Sequence, residues 1–235
     1  MQYQVLAADY DGTLATDGHV EESTLEAVRR LRASGRRLVL VTGRIVDQLL
    51  QVFPQIALCD LVVADNGAVL FNPATGERVS LAAAPHKDFV EELVRRGVPR
   101  IETGDVIVAT WEPHETTVLE IIRDLGLELQ IIFNKGAVMI LPTGVNKATG
   151  LAAALEKLGV LPENTVGIGD AENDDSFLKM CGASAAVENA LEVLKKQVNI
   201  VMEGARGAGV CQLINRLLDD DLKELALPSD ESRRD

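Results

Sequence analysis

Short apolar runs in this chain stop abruptly on acidic, hydroxyl or glycine residues. Tyr3 to Ala8 ends on Asp9-Tyr10-Asp11-Gly12, and Arg37 to Val41 ends on Thr42-Gly43-Arg44. Leu61 to Ala64 ends on Asp65-Asn66-Gly67, and Thr165 to Ile168 ends on Gly169-Asp170. Runs this short, without polar alternation, read as buried strands. Stretches with helical spacing lie between them. In Glu21 to Ser34, Leu25, Val28 and Leu31 share one face, and Gly35 ends the helix. Strand–helix alternation predicts an α/β fold with a parallel sheet flanked by helices.

One segment breaks the alternation. After a hairpin, Val69–Phe71 and Arg78–Leu81 around Asn-Pro-Ala-Thr-Gly, residues 83–142 have another texture. There the pattern predicts a helix over His86 to Arg96, a strand over Val106 to Trp111 and a helix over Glu115 to Leu125. Adjacent strands, Leu129–Phe133 and Ala137–Leu141, follow around Asn134-Lys135-Gly136. This reads as a small α+β insertion into a core made of 1–82 and 143–222. The core resumes with a helix at Asn146 and closes with a helix over Val210 to Leu218, entered through a turn at Gly204–Gly209. Residues 223–235 lose the apolar period and gain Pro and Ser, which suggests a tail or a linker to a further domain.

The chain has 235 residues, 47% hydrophobic and 25% charged, enough to bury roughly 70–75% of its unfolded surface. Lys plus Arg is 23 and Asp plus Glu is 36, a net charge of −13. No general field attracts nucleic acid or anionic membrane, so any phosphate must be held by local groups or a metal. Cys59, Cys181 and Cys211 lack metal-ligand spacing and read as small hydrophobes of a reducing compartment. With no basic leader and no apolar run near ~18 residues, a soluble cytoplasmic protein is expected.

The clusters at the strand ends point to chemistry. At ~4 Å, the Asp9 and Asp11 charges would repel by about 4 kcal/mol at an effective dielectric of 20. Such a pair persists with a cation between the two, or with one carboxyl protonated, unless Asp-Gly-Thr is simply an acidic turn. Thr42, with the N–H groups around Gly43, suits phosphate oxygens where a helix begins. Lys147 opens a helix against the macrodipole and suggests an anionic partner, unless it is a solvated surface lysine. Asp170, Asn173 and Asp174 bring hard oxygen donors, with no His or Cys nearby, which suits Mg²⁺. The glycine-rich Gly204–Gly209 lacks the Lys-Ser/Thr of a P-loop. His19, His86 and His114 lack ligand spacing, and Met139, Ile121 and Ile122 read as core.

In order, Asp9-x-Asp11, Thr42-Gly43-Arg44, Lys147 and Gly169-Asp170-x-x-x-Asp174 resemble the four motifs of the haloacid dehalogenase (HAD) superfamily. Gly144-Val145-Asn146-Lys147 and Asp65-Asn66-Gly67-Ala68 are similar to its Cof-type, HAD-IIB branch, which includes small-cap phosphatases of phosphoglycolate or sugar-phosphate type. The resemblance implies a HAD-like Rossmannoid core with an α+β cap, 83–142, between the second and third motifs. It further implies a Mg²⁺-dependent phosphomonoesterase acting on a small phosphorylated metabolite through an aspartyl-phosphate. Asp9 would be the nucleophile and Asp11 the general acid and base. Thr42, Gly43, Arg44, Lys147 and Asn173 would hold phosphate or substrate. Asp9, Asp170, Asp174 and the backbone carbonyl of Asp11 would hold the metal. In the cap, Trp111 and Lys135 are the specificity candidates, against core packing for Trp111 and an ordinary turn lysine for Lys135. A phosphomutase on the same fold, or a catalytic or regulatory domain of a longer protein, is the alternative.

Overall fold

The computed structural model describes residues 1–223. In chain order the larger sheet takes β1 (Val5–Ala8), β2 (Arg37–Val41), β3 (Leu61–Ala64), β4 (Val69–Asn72) and β5 (Glu77–Ser80). Helices α1 (Glu22–Ala33) and α2 (Val46–Val52) link the first three strands. The chain then builds a second layer from α3 (Lys87–Arg95), β6 (Glu102–Thr103), β7 (Val108–Trp111), α4 (Glu115–Asp124), β8 (Leu129–Asn134) and β9 (Ala137–Pro142). It returns through α5 (Lys147–Leu158), β10 (Thr165–Gly169), α6 (Asp175–Met180) and β11 (Ala183–Ala186). The last elements are α7 (Glu192–Lys195), β12 (Ile200–Val201) and α8 (Arg206–Asp219).

Among the described residues the larger sheet has eight strands in the order β12-β11-β10-β1-β2-β3-β4-β5. It is parallel from β12 to β3, and β4 and β5 add an antiparallel edge. This is an α/β fold. β1, β3 and β10 are buried at every residue, which is why their sequences read as unbroken apolar runs. β1 lies between β2 and β10, where the chain's path across the sheet reverses direction. Loops diverge at such a point and leave a crevice at the carboxyl ends of the strands. Asp9, Thr42 and Asp170 all follow directly on those ends.

The smaller sheet is antiparallel, in the order β6-β7-β9-β8. Its side chains alternate faces. Val108, Val138 and Ile140 pack with Phe89 and Leu93 of α3 and Val118 and Ile121 of α4 in a separate hydrophobic cluster. Ala109, Trp111, Ala137 and Met139 lie on the other face, toward the crevice.

Several expectations need correction. The last helix starts at Arg206, not Val210, so Gly207 and Gly209 lie inside it and not in a turn. A Cβ on Gly207 would come within 2.3 Å of Thr24 Oγ1, so glycine permits the close approach of α8 to α1. β6 had no sequence signal, being two residues long. Val106 and Ile107 precede β7 instead of opening it; their N–H groups bond to Asp65. The three cysteines are free. Among the described residues no helix is long and apolar enough to cross a membrane. The expected tail, 223–235, lies outside the described residues except for Lys223.

Candidate active site

Asp9 follows β1, and its backbone N–H bonds to Ile168 of β10, which fixes it at the crevice. Its Oδ1 accepts from Lys147 Nζ at 2.6 Å. Lys147 is the first residue of α5, where Asn146 caps the helix and Thr149 completes a capping box. α5 docks closely on the loop after β3. Gly67, at φ 111°, is required there, because a Cβ would lie 1.9 Å from the Asn146 carbonyl oxygen. Lys147 is only 1% exposed and also donates to Asp174 Oδ1 at 2.6 Å. The anionic partners expected from its place at a helix start are therefore two buried carboxylates.

Asp174 Oδ2 accepts the N–H groups of Asp170 and Ala171 at 2.8 and 2.9 Å. Asp174 thus shapes the loop after β10 and holds Lys147 at once. Asp170 is 2% exposed, and Thr13 Oγ1 donates to it at 3.3 Å. Oxygens of Asp9, Asp170 and Asp174 lie within 4.8 Å of one another. Burial, then the Asp174 charge, raises the Asp9 pKa against the opposing pull of Lys147. Burial also raises Asp170. Burial alone would lower Lys147, but Asp174 and Asp9 outweigh it and hold the ammonium charged.

Asp11 turns away from this cluster. Both its oxygens accept from Arg44, at 2.6 Å from Nε and 2.7 Å from Nη2. A cation between Asp9 and Asp11, or a proton on one of them, was one reading of the pair and an acidic turn the other. Instead the carboxylates are separated, Asp9 to Lys147 and Asp11 to Arg44, because the chain has left β1 at Ala8 and turns after Asp9. Thr42 is buried, and its Oγ1 accepts the Arg44 N–H at 3.1 Å. Asn173 donates to Asn66 Oδ1 at 2.9 Å, while its own Oδ1 is buried without a partner.

From the smaller sheet, Lys135 at the β8–β9 hairpin tip reaches the cluster. Its Nζ lies 2.6 Å from Asp170 Oδ2 and 3.4 Å from the Asp11 carbonyl oxygen. Those two oxygens plus Asp9 are an all-oxygen donor set that already holds a cationic nitrogen, which fits a hard divalent cation. Gly12, at φ 89°, borders it, because a Cβ there would come within 2.3 Å of Asp170 Oδ2. Above the cluster a pocket is walled by Arg44, Gln48, Glu102, Trp111, Asn134 and Met139. Gln48 bonds Glu102 across the two layers at 3.1 Å, and Arg100 stacks on the Trp111 ring at 3.7 Å from its centroid. Met139, read as core, lies in this wall, although it is 8% exposed.

A family model of haloacid dehalogenase-like hydrolases matches residues 6–99 and 102–214. The chain belongs to that family. This HAD chain is 30% identical over 226 residues to a phosphoglycolate phosphatase of Methanothermobacter thermautotrophicus, covering 92% of this chain and 99% of that protein. A phosphoglycolate phosphatase of Natronomonas pharaonis is 29% identical over 234 residues, covering 92% and 98%. Among solved structures, Thermoplasma acidophilum 0175 has a TM-score of 0.80 at 17% identity, covering 92% of this chain and 98% of that one. A HAD subclass IIB sugar phosphatase has a TM-score of 0.73 at 20% identity, covering 91% and 98%. The protein is a HAD-type phosphatase with the subclass IIB fold.

Some site neighbours escaped the sequence reading. Asn189 donates to the Gly12 carbonyl at 2.9 Å and toward Asp170 Oδ2 at 3.5 Å, and accepts the Arg206 N–H. It lies three residues past the end of β11, behind Val187 and Glu188, so the rule that singled out residues directly after a strand does not reach it. Asp65 accepts the N–H groups of Val106 at 2.9 Å and Ile107 at 3.2 Å across the layers, which no local pattern foretells.

Proposed function

We propose that this HAD phosphatase is a cytoplasmic, Mg²⁺-dependent phosphomonoesterase acting on a small phosphorylated metabolite through an aspartyl-phosphate on Asp9. What carries the reading is Asp9, buried and bonded through one oxygen to Lys147, beside Asp170 and Asp174. The Asp9 oxygen not bonded to Lys147 attacks phosphorus, and the bond to the leaving alkoxide breaks. Asp11 gives that alkoxide a proton, then takes one from the water that cleaves the aspartyl-phosphate and frees inorganic phosphate. The Arg44 clamp on Asp11 must open for this, and an anionic substrate competes for that guanidinium. Lys147 neutralises Asp9 and the phosphoryl oxygens, while Thr42, Gly43 and Asn173 orient them. Asp9, Asp170 and the Asp11 carbonyl would hold Mg²⁺ directly. Asp174, both of whose oxygens are engaged, would act through water and through Lys147. When bound, Mg²⁺ would shield charge between nucleophile and phosphate.

The layer over 83–142 is read as the cap, with Trp111, Lys135 and Arg44 facing the leaving group. The relatives' names make phosphoglycolate and small sugar phosphates the first substrates to test. Free thiols fit a reducing compartment. The deciding assay is hydrolysis of p-nitrophenyl phosphate with Mg²⁺, with EDTA, and by Asp9→Asn. Activity should vanish in EDTA and fall by roughly 10⁴-fold or more in the variant. Full turnover in EDTA, or half the wild-type rate in Asp9→Asn, overturns the mechanism.

A further inference from the structure

The hairpin that carries Lys135 is tight. Lys135 and Gly136 have φ of 48° and 82°, both positive, as a two-residue hairpin turn demands. A lysine in that left-handed position is uncommon, and here it directs a cap ammonium into the acidic cluster of the core. Its Nζ bonds Asp170 Oδ2 at 2.6 Å and lies 3.4 Å from the Asp11 carbonyl oxygen. Both atoms are among the donors assigned above to the divalent cation.

We infer that Lys135 is a positioning residue of the cation site: its ammonium and Mg²⁺ exchange at the same oxygens. The inference rests on the metal reading above and goes beyond it. Three observations carry it. Mg²⁺ needs its oxygens at about 2.0–2.1 Å in near-octahedral array, so an ammonium on two of them must leave first. Space is closed on the loop side, since a Cβ on Gly12 would lie 2.8 Å from Lys135 Nζ and 2.3 Å from Asp170 Oδ2. Charge favours exchange over addition. With Asp9 ionised, as it must be to hold a cation, Asp9, Asp170 and Asp174 bring three negative charges against Lys147 and Lys135, leaving the cluster at −1. Replacing Lys135 by a divalent cation brings the sum to zero, whereas keeping both would make it positive.

The exchange also couples the two layers. Lys135 is tethered next to Asn134, which lines the pocket. While it holds Asp170 it ties the hairpin down onto the core. Once displaced, it is a free ammonium at the pocket wall. Its side chain is 47% exposed even when paired, so it can withdraw without disturbing buried packing.

The test uses the metal-free full chain. Mg²⁺ is titrated calorimetrically into wild type, Lys135→Gln and Lys157→Gln, the last removing an exposed lysine paired with Glu77. An occupied site lowers apparent affinity by the fraction left competent. If Lys135 holds the ligands in about nine molecules of ten, Lys135→Gln binds Mg²⁺ about tenfold more tightly, while Lys157→Gln is unchanged. A second readout needs no variant: acetylation of Lys135 in wild type, followed by peptide mass spectrometry, should quicken when Mg²⁺ is added, and acetylation of Lys157 should not. Equal Mg²⁺ affinity in wild type and Lys135→Gln, or Lys135 labelling indifferent to Mg²⁺, overturns the exchange while leaving the phosphatase reading intact. No Mg²⁺ binding by either protein overturns the metal reading and the exchange together.

Discussion

Two lysines reach the same acidic cluster from different layers, and they are held in different ways. Lys147 comes from the core, opens a capped helix, is 1% exposed and meets two carboxylates at 2.6 Å. Lys135 comes from a hairpin tip in the smaller sheet, is half-exposed and meets one carboxylate at 2.6 Å. The core fixes its charge through burial and several partners, so that charge is part of the fold. The smaller layer lends its charge through one half-exposed ammonium, so that charge is free to move. The phosphate chemistry proposed here calls for the first kind and substrate choice for the second.

The hardest test of this contrast is to remove each lysine in turn. Lys147→Ala leaves buried carboxylates without their counter-ion and should cost about 3–5 kcal/mol in urea unfolding, together with activity. Lys135→Ala should cost less, about 1 kcal/mol, because the ammonium end of its pair is half-exposed and Thr13 and Asn189 still approach the buried Asp170. Equal losses would erase the distinction between the layers.

The core carboxylate that Lys147 holds should also be visible in the pH dependence of stability. Burial, then Asp174, raises Asp9 above the usual carboxylate range, so the folded protein holds that proton more tightly than the unfolded chain does. The stability this contributes is present at acid pH and is lost as pH rises through the raised value. Asp9→Asn stays neutral throughout. In metal-free protein its Tm should match wild type only at acid pH, below the unfolded carboxylate range, and exceed it by a growing margin as pH rises to about 8, with the full difference near pH 9. A difference that is flat with pH would show that Asp9 does not titrate differently on folding.

The smallest stability effect belongs to the cap. Trp111 lines the pocket and stacks on Arg100, a contact worth roughly 0.5–1 kcal/mol at an exposed site. Trp111→Ala should lower stability by about that much while reordering kcat/KM among phosphoglycolate, sugar phosphates and p-nitrophenyl phosphate. A loss of roughly 3–5 kcal/mol with the ranking unchanged would make Trp111 core packing instead.

The core was legible because its signals are local. A parallel strand buried on both faces must be apolar throughout, and a polar residue directly after it lies at the crevice, so Asp9, Thr42 and Asp170 could be read without coordinates. Lys147 was legible because a cation at a helix N-terminus is unfavourable unless something anionic faces it. The readings that failed depended on distant partners. Gly207 looked like a breaker, but Thr24, far off in sequence, is what requires it. Met139 is core, as its place along β9 suggested, and only the packed layers show that it also borders the crevice.

The sequence by itself determined the strand–helix alternation and the residues gathered at the carboxyl ends of the strands, because each follows from periodicity and the cost of burying charge. Only the tertiary structure decided how the charges pair: Asp9 with Lys147, Asp11 with Arg44, and Asp170 with a lysine from the other layer. Those partners are separated by 138, 33 and 35 positions along the chain. No local pattern reaches so far, since electrostatic pairing depends on distance in space and side-chain direction, and both are set only when the chain packs.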